Sequence, residues 1–437
     1  MQNSSNFLAN QLHILLIILA SFFAQQAVAQ DSTYTTYLAK NNEKITIGSN
    51  NSFSLLDKAF YSNELFLLTE SHGYAKPHQL DAELFKQLNK KTGVRYYLAE
   101  IDFAQAHYLN QYLNTGNEDF LKSIYKYWFD TKAQWGCKAG FEKWKNLYNY
   151  NKTLAKDKKI IVLGLDNAQD LTMNVKLLSE ILSTSRYKKS TNVMLDSLLN
   201  FSAQNLLNDS TRTFIKFTRR LMIAIEKDSA KYKKALKNNY TDFYFIVNNI
   251  AAKKDRETKI FYNFTVFYNR YKLASQKMYG FWGRFHGMQD SINGGLSFSA
   301  MLKKTNLPLH NKIISIPVFC VESASMLPTA YLPPMAQEKG KIFSKVSMVN
   351  DDSFIYSVNG IKNLRKFVGK DENVLFKLNG ISSPYNSGLN LVESSSKFDK
   401  TFNWAGNKNS TTTDYFQYCM VVSNSDWAEP YGDNNSK

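Results

Sequence analysis

Glu70 and His72 are separated by one residue and directly follow a short apolar run, Leu65-Phe66-Leu67-Leu68-Thr69. A carboxylate beside an imidazole can move a proton or hold a metal ion. Gly73 and Pro77 come next, and then Leu80, Leu84 and Leu88 recur at helical spacing. The pattern predicts strand, polar loop and helix, with Glu70 and His72 in the loop. In an open α/β sheet, ligands bind just past the carboxyl ends of the strands. The plainer alternative is a helix cap beside a solvated loop histidine, and this stretch alone does not choose.

Other apolar runs end on similar groups. Arg95–Ile101 carries Glu100 near its end, Lys159–Leu165 stops at Asp166, and Lys277–Phe285 leads through Arg284 to His286. Strands joined by helical crossovers run parallel, so their carboxyl ends share one edge. Glu70, His72, Glu100, Asp166 and His286 are therefore expected on one rim. Each has a plainer role as well. Glu100 could be a charge at a helix start, Asp166 an N-cap, and His286 a structural histidine. Of the six histidines, His78, His107 and His310 lie in helix or loop settings without carboxylate neighbours. They read as surface or structural residues.

The elements that must position these groups give an α/β fold. It has a mostly parallel central sheet with flanking helices, a helical insertion and a C-terminal extension. The core occupies 30–170 and 271–340, with a polar lead-in up to about Asn51. Between them, 171–270 reads as helices that serve as a lid or a homodimer contact and carry no evident chemistry. The tail, 341–437, finishes the sheet. Pro317 places the strand Lys312–Phe319 at an edge or bulge.

The chain has 437 residues, 44% hydrophobic, which is ample for a packed core. Its net charge of +17 suggests anionic surfaces or substrates. Lysines are spread along the chain and no nucleic-acid motif occurs, so no nucleic-acid partner is expected. Leu12–Ala24 followed by Ala27-Val28-Ala29 reads as an export signal cleaved after Ala29. A periplasmic or secreted protein, with no transmembrane span once mature, is expected. Cys137, Cys320 and Cys419 are odd in number, and buried free thiols are expected at Cys320 and Cys419.

Three segments together carry a family resemblance: Leu67-Leu68-Thr69-Glu70-Ser71-His72-Gly73, Tyr97-Leu98-Ala99-Glu100-Ile101-Asp102-Phe103 and Gly283-Arg284-Phe285-His286. They resemble the erythromycin esterase-like superfamily, which includes ChaN-like haem-binding proteins and the TraB/GumN/Tiki proteins. The resemblance implies functional roles for Glu70, His72, Glu100 and His286. Thr69 stands where the family usually has glycine. Only Ser71 separates Glu70 from His72, where the esterases commonly have two residues. A hydrolase acting on a small-molecule or peptide substrate is expected, with His72 activating water and Arg284 or His286 stabilising the oxyanion. No Gly-x-Ser-x-Gly elbow is present. The alternatives are a divalent metal held by His72, His286, Glu70 or Glu100, as in a Tiki/TraB-like peptidase, and a haem- or ligand-binding protein without turnover.

Overall fold

A computed structural model describes residues 32–435, apart from 50–51, 186, 202–203, 205, 208–211 and 398. The expected export signal lies outside the described residues. The strands in chain order are β1 (Asn42–Lys44), β2 (Leu65–Glu70), β3 (Tyr96–Ala99), β4 (Ile161–Gly164), β5 (Met278–Gly283), β6 (Ile313–Val321), β7 (Ser325–Pro328), β8 (Phe343–Val346), β9 (Tyr356–Val358), β10 (Asn373–Lys377), β11 (Ser394–Ser396) and β12 (Tyr418–Ser423).

Eight of them form one sheet in the order β1-β10-β12-β6-β2-β5-β3-β4. From β12 to β4 every neighbouring pair is parallel. β10 joins β12 antiparallel, and β1 joins β10 in the same way. This is the expected α/β class.

All six residues of β2 are buried. Phe66 and Leu68 pack on one face with Leu80, Leu84 and Trp144, while Leu65 and Leu67 pack on the other with Phe264 and Phe298. Burial on both faces is why this strand reads as a continuous apolar run. The helix Lys76–Thr92 starts with Pro77 in its first turn and stops at Gly93, which is left-handed at φ 76°. Among the described residues, no helix is long and apolar enough to cross a membrane.

One expectation is corrected. β6 lies inside the sheet, not at an edge. Pro317 is tolerated because its ladder with β12 begins one residue later, at Val318. The side chain of Gln417 reaches the amide of Ser315 on that same flank. The lead-in holds a helix over 32–40 and then β1. The C-terminal segment joins the sheet through β10 and the interior strand β12. All three cysteines are buried free thiols.

Asp102 fixes the exits of β3 and β4 to each other. It caps the helix Phe103–Thr115 through the Gln105 amide in a capping box. Its second oxygen accepts from the Gln169 amide at 2.9 Å, the Asp170 amide at 3.0 Å and Asn174 Nδ2 at 2.8 Å. Asp102→Ala leaves these donors unpaired and should cost roughly 2–4 kcal/mol. Urea unfolding measures it, and an unchanged midpoint would contradict this role.

Candidate active site

Register brings the rim groups together. Glu70 is level with Gly283 across β2 and β5, and Ala99 is level with Phe281 and Gly164. Glu70, Glu100 and the turn after β5 therefore leave the sheet side by side. Glu70 is 3% exposed, and its Oε1 lies 2.6 Å from His72 Nδ1. That contact assigns the ring hydrogen to Nδ1 and leaves Nε2 as the basic nitrogen, without a hydrogen-bond partner among the described residues. The turn depends on Gly73, with φ 100°. A Cβ there would lie 2.4 Å from Ser325 Oγ and 2.6 Å from the Met326 carbonyl oxygen.

Glu100 is the centre of a charge ladder. Its Oε2 accepts from the Gly283 amide at 2.6 Å. Its Oε1 lies 2.6 Å from Arg256 Nη2 and 3.2 Å from His286 Nε2. Arg256 also binds Asp166 at 2.6 Å, and His286 Nδ1 binds Glu257 at 2.8 Å. A Cβ on Gly283 would come within 3.1 Å of His72 Nε2 and 3.5 Å of Glu100 Oε2. Gly283 is thus the spacer that lets His72 and Glu100 approach one another.

Burial works against the charge on Glu100, but His286, His72 and Arg256 outweigh it and hold the pKa well below the carboxylate range. Burial also works against the His286 imidazolium, yet Glu100 and Glu257 raise its pKa to about 10. For His72, burial is again the largest influence and lowers the pKa. The charge and hydrogen bond of Glu70, with help from Glu100, outweigh it and leave the pKa raised.

A cleft holding about 530 Å³ of atom-free space opens beside this ladder. Glu70, His72 and Glu100 line it, together with Trp135, Lys143 and Phe281. His286 does not line it and stands behind Glu100. Asp166 is not the N-cap of the next helix, since Asp170 is. It anchors Arg256 instead. Arg284 departs furthest from expectation. Its guanidinium binds Asp351 at 2.7 and 2.8 Å, donates to the Val318 carbonyl, and lies 4.6 Å from the Phe319 ring centroid. Both its terminal nitrogens are taken up there, only Nε is left without a hydrogen-bond partner, and Arg284 does not line the cleft.

The donor set does not fit a metal centre. Both nitrogens of His286 face carboxylates, and a protonated imidazole is not a ligand. Both oxygens of Glu100 are engaged as well. Among the described residues, no group of three or more His, Cys, Asp or Glu could hold a metal ion. The arrangement suits proton transfer at His72.

No family model matches the sequence, and no curated protein matches it. Solved structures do match. A Bacillus cereus protein aligns with a TM-score of 0.62 at 13% identity, over 92% of this chain and 99% of its own. A succinoglycan biosynthesis protein gives 0.58 at 15%, over 91% and 98%. A mutant of the erythromycin esterase EreC in its open conformation gives 0.57 at 11%, over 87% and 95%. The chain shares its fold with these three proteins. At these identities the likeness concerns the fold alone.

Sequence reasoning missed Arg256 and Glu257, which come from the block expected to carry no chemistry. They open the helix Arg256–Arg270. One signal was present: a cation at a helix N-terminus is unfavourable unless something nearby pairs with it. His78, which reads as a surface or structural residue, is buried and also lines the cleft. Burial, then the charge of Lys143, push its pKa well below the ordinary value.

The raised pKa of His286 has a consequence for stability. Its contribution is present in full below the unfolded value of 6.5 and declines as pH rises. It is lost once pH passes the folded value of about 10. Thermal unfolding of wild type and His286→Gln should therefore differ most at mildly acidic pH and converge above that point. The imidazole carbon signals of His286 should titrate near it too. A midpoint close to the ordinary histidine value would refute the ladder.

Proposed function

We infer that this protein is a hydrolase of esters or related carbonyl compounds, with His72 as general base. The observation that carries this reading is the 2.6 Å contact between Glu70 and His72 Nδ1, which leaves Nε2 free at the cleft wall. A water beside Nε2 loses its proton to the ring as it attacks the carbonyl carbon. Glu70 faces the imidazolium so formed and stabilises it until the tetrahedral intermediate breaks its bond to the leaving oxygen, which takes the proton from Nε2 and departs as the alcohol. The carbonyl oxygen becomes negative in that step and needs a positive partner. Arg256 suits that part better than Arg284, because its side chain is 41% exposed and it binds the cleft residue Glu100. His286 serves by keeping Glu100, and through it Arg256, in place.

The export pattern at the N-terminus puts this activity outside the cytoplasm in our reading. A metal-dependent peptidase is disfavoured by the donor set described above.

Hydrolysis of a panel of neutral esters tests the reading. His72→Ala and Glu70→Gln should each lower the rate by about 10²–10⁴ without altering the circular dichroism spectrum. Because the pKa of His72 is raised, the acid limb of the pH–rate profile should have its midpoint above 6.5. A chelator should leave turnover unchanged. If both variants stay within about twofold of wild type, His72 is not the base.

A further inference from the structure

The helices between β4 and β5 carry a surface that the cleft does not use. The helix Thr213–Lys227 buries Phe214, Phe217, Leu221 and Ile225 in the main core. Its opposite face presents Lys216, Arg220, Ile223 and Lys227, all exposed. Spacings of four, three and four residues set these side chains in one line along the helix, about 16 Å from end to end. The next helix, Ser229–Leu236, buries Tyr232 and Leu236 and exposes Lys231, Lys233 and Lys234. From 213 to 236 the sequence has seven cations and only two acids, Glu226 and Asp228. Asp228 is taken up as the cap of the second helix.

These cations do not hold the fold together. Within 171–270 the described ion pairs belong to Arg256, Glu257 and Arg270, and none involves either helix. Lys216 and Arg220 are four residues apart, and like charges at that spacing repel. Lys231 stands in the first turn of its helix, where a cation is unfavourable. An anionic partner relieves both kinds of repulsion.

Apolar exposure decides which anion fits. Ile223 is 65% exposed in the middle of the cationic line. Val193 is 78% exposed, and the side chain of the residue before it, Asn192, lies against Tyr232 of the second helix. A polysaccharide or a nucleic-acid backbone has no hydrocarbon layer to receive such groups. The headgroup boundary of a bilayer takes up aliphatic side chains and cations together. The helix keeps its own apolar face in the core, so the contact stays at the membrane surface.

We propose that this face docks on an anionic lipid bilayer. Lys216, Arg220, Lys227 and the three lysines of the second helix meet headgroup phosphates, and Ile223 enters the acyl boundary. Docking does not depend on the hydrolase reading of the cleft.

Sedimentation with lipid vesicles tests it. The chain from Gln30 is used, so that Leu12–Ala24 adds no binding of its own. The described residues begin at 32 and are all retained. Vesicles of phosphatidylcholine containing about 30 mol % phosphatidylglycerol should bind at least about tenfold more tightly than phosphatidylcholine alone. Raising the salt from about 50 to about 500 mM should remove that difference. Lys216→Gln, Arg220→Gln and Lys227→Gln combined should weaken binding about a hundredfold, at about fivefold per cation. Lys90→Gln, Lys91→Gln and Lys408→Gln combined remove as much charge from exposed positions elsewhere and should change it by less than about twofold. Ile223→Ser should weaken vesicle binding several-fold and leave retention on dextran sulfate unchanged. All these positions are exposed, so the thermal midpoints should match wild type. Equal binding to the two kinds of vesicle would overturn the proposal. So would equal losses in the two triple variants, which would make net charge the only cause. Vesicle binding unaffected by Ile223→Ser, with dextran sulfate or RNA held as tightly as vesicles, would identify a polar polyanion as the partner and overturn it too.

Discussion

A carboxylate kept ionised in a buried place must be surrounded by donors, and the site is built around that demand at Glu100. Removing such a charge from water is costly unless the replacement partners are close and well aimed. Here they come from distant parts of the chain: the Gly283 amide from β5, His286 from the turn after it, and Arg256 from a helix start. Each partner then needs one of its own. Asp166 answers Arg256, and Glu257 answers His286. The ladder ends only where charges balance. Glu70 and His72, by contrast, form a local pair that borrows its position from this ladder through Gly283.

Much of this was legible because strand ends are legible. Apolar runs of strand length closed by Glu70, Glu100 and Asp166, with helices between them, imply a parallel sheet and a common rim. The capping residues Asp102 and Gly93 were readable from local chemistry alone. Arg284 was misread because its partner, Asp351, is 67 positions away in sequence, and no local pattern announces that pair. Arg256 and Glu257 were hidden inside a block whose amphipathic periodicity speaks only of packing. Pro317 misled for a related reason. Its edge-strand preference is real, but the neighbouring ladder starts just past it.

Trp128, Trp135 and His78 show a further limit. Aromatic residues at helical spacing look like core, and these residues do pack as core. What sets them apart is a hydrogen-bonding atom left without a partner, and that is a property of the folded arrangement. Lys143 is similar. As a lysine in a helix it reads as surface, yet it is buried against Asp81 among rings.

The place of β12 has a consequence for how the chain can be made. Residues 418–423 lie between β10 and β6, so the strand synthesised after the other seven of this sheet becomes one of its interior planks. Until it arrives, β6 has an open flank and the β1–β10 pair has nothing to join. The sheet therefore cannot close until residue 423 has been made, and the flank of β6 is open to wrong partners during that wait. A chain ending a few residues short of 418 would strand two β-strands at once.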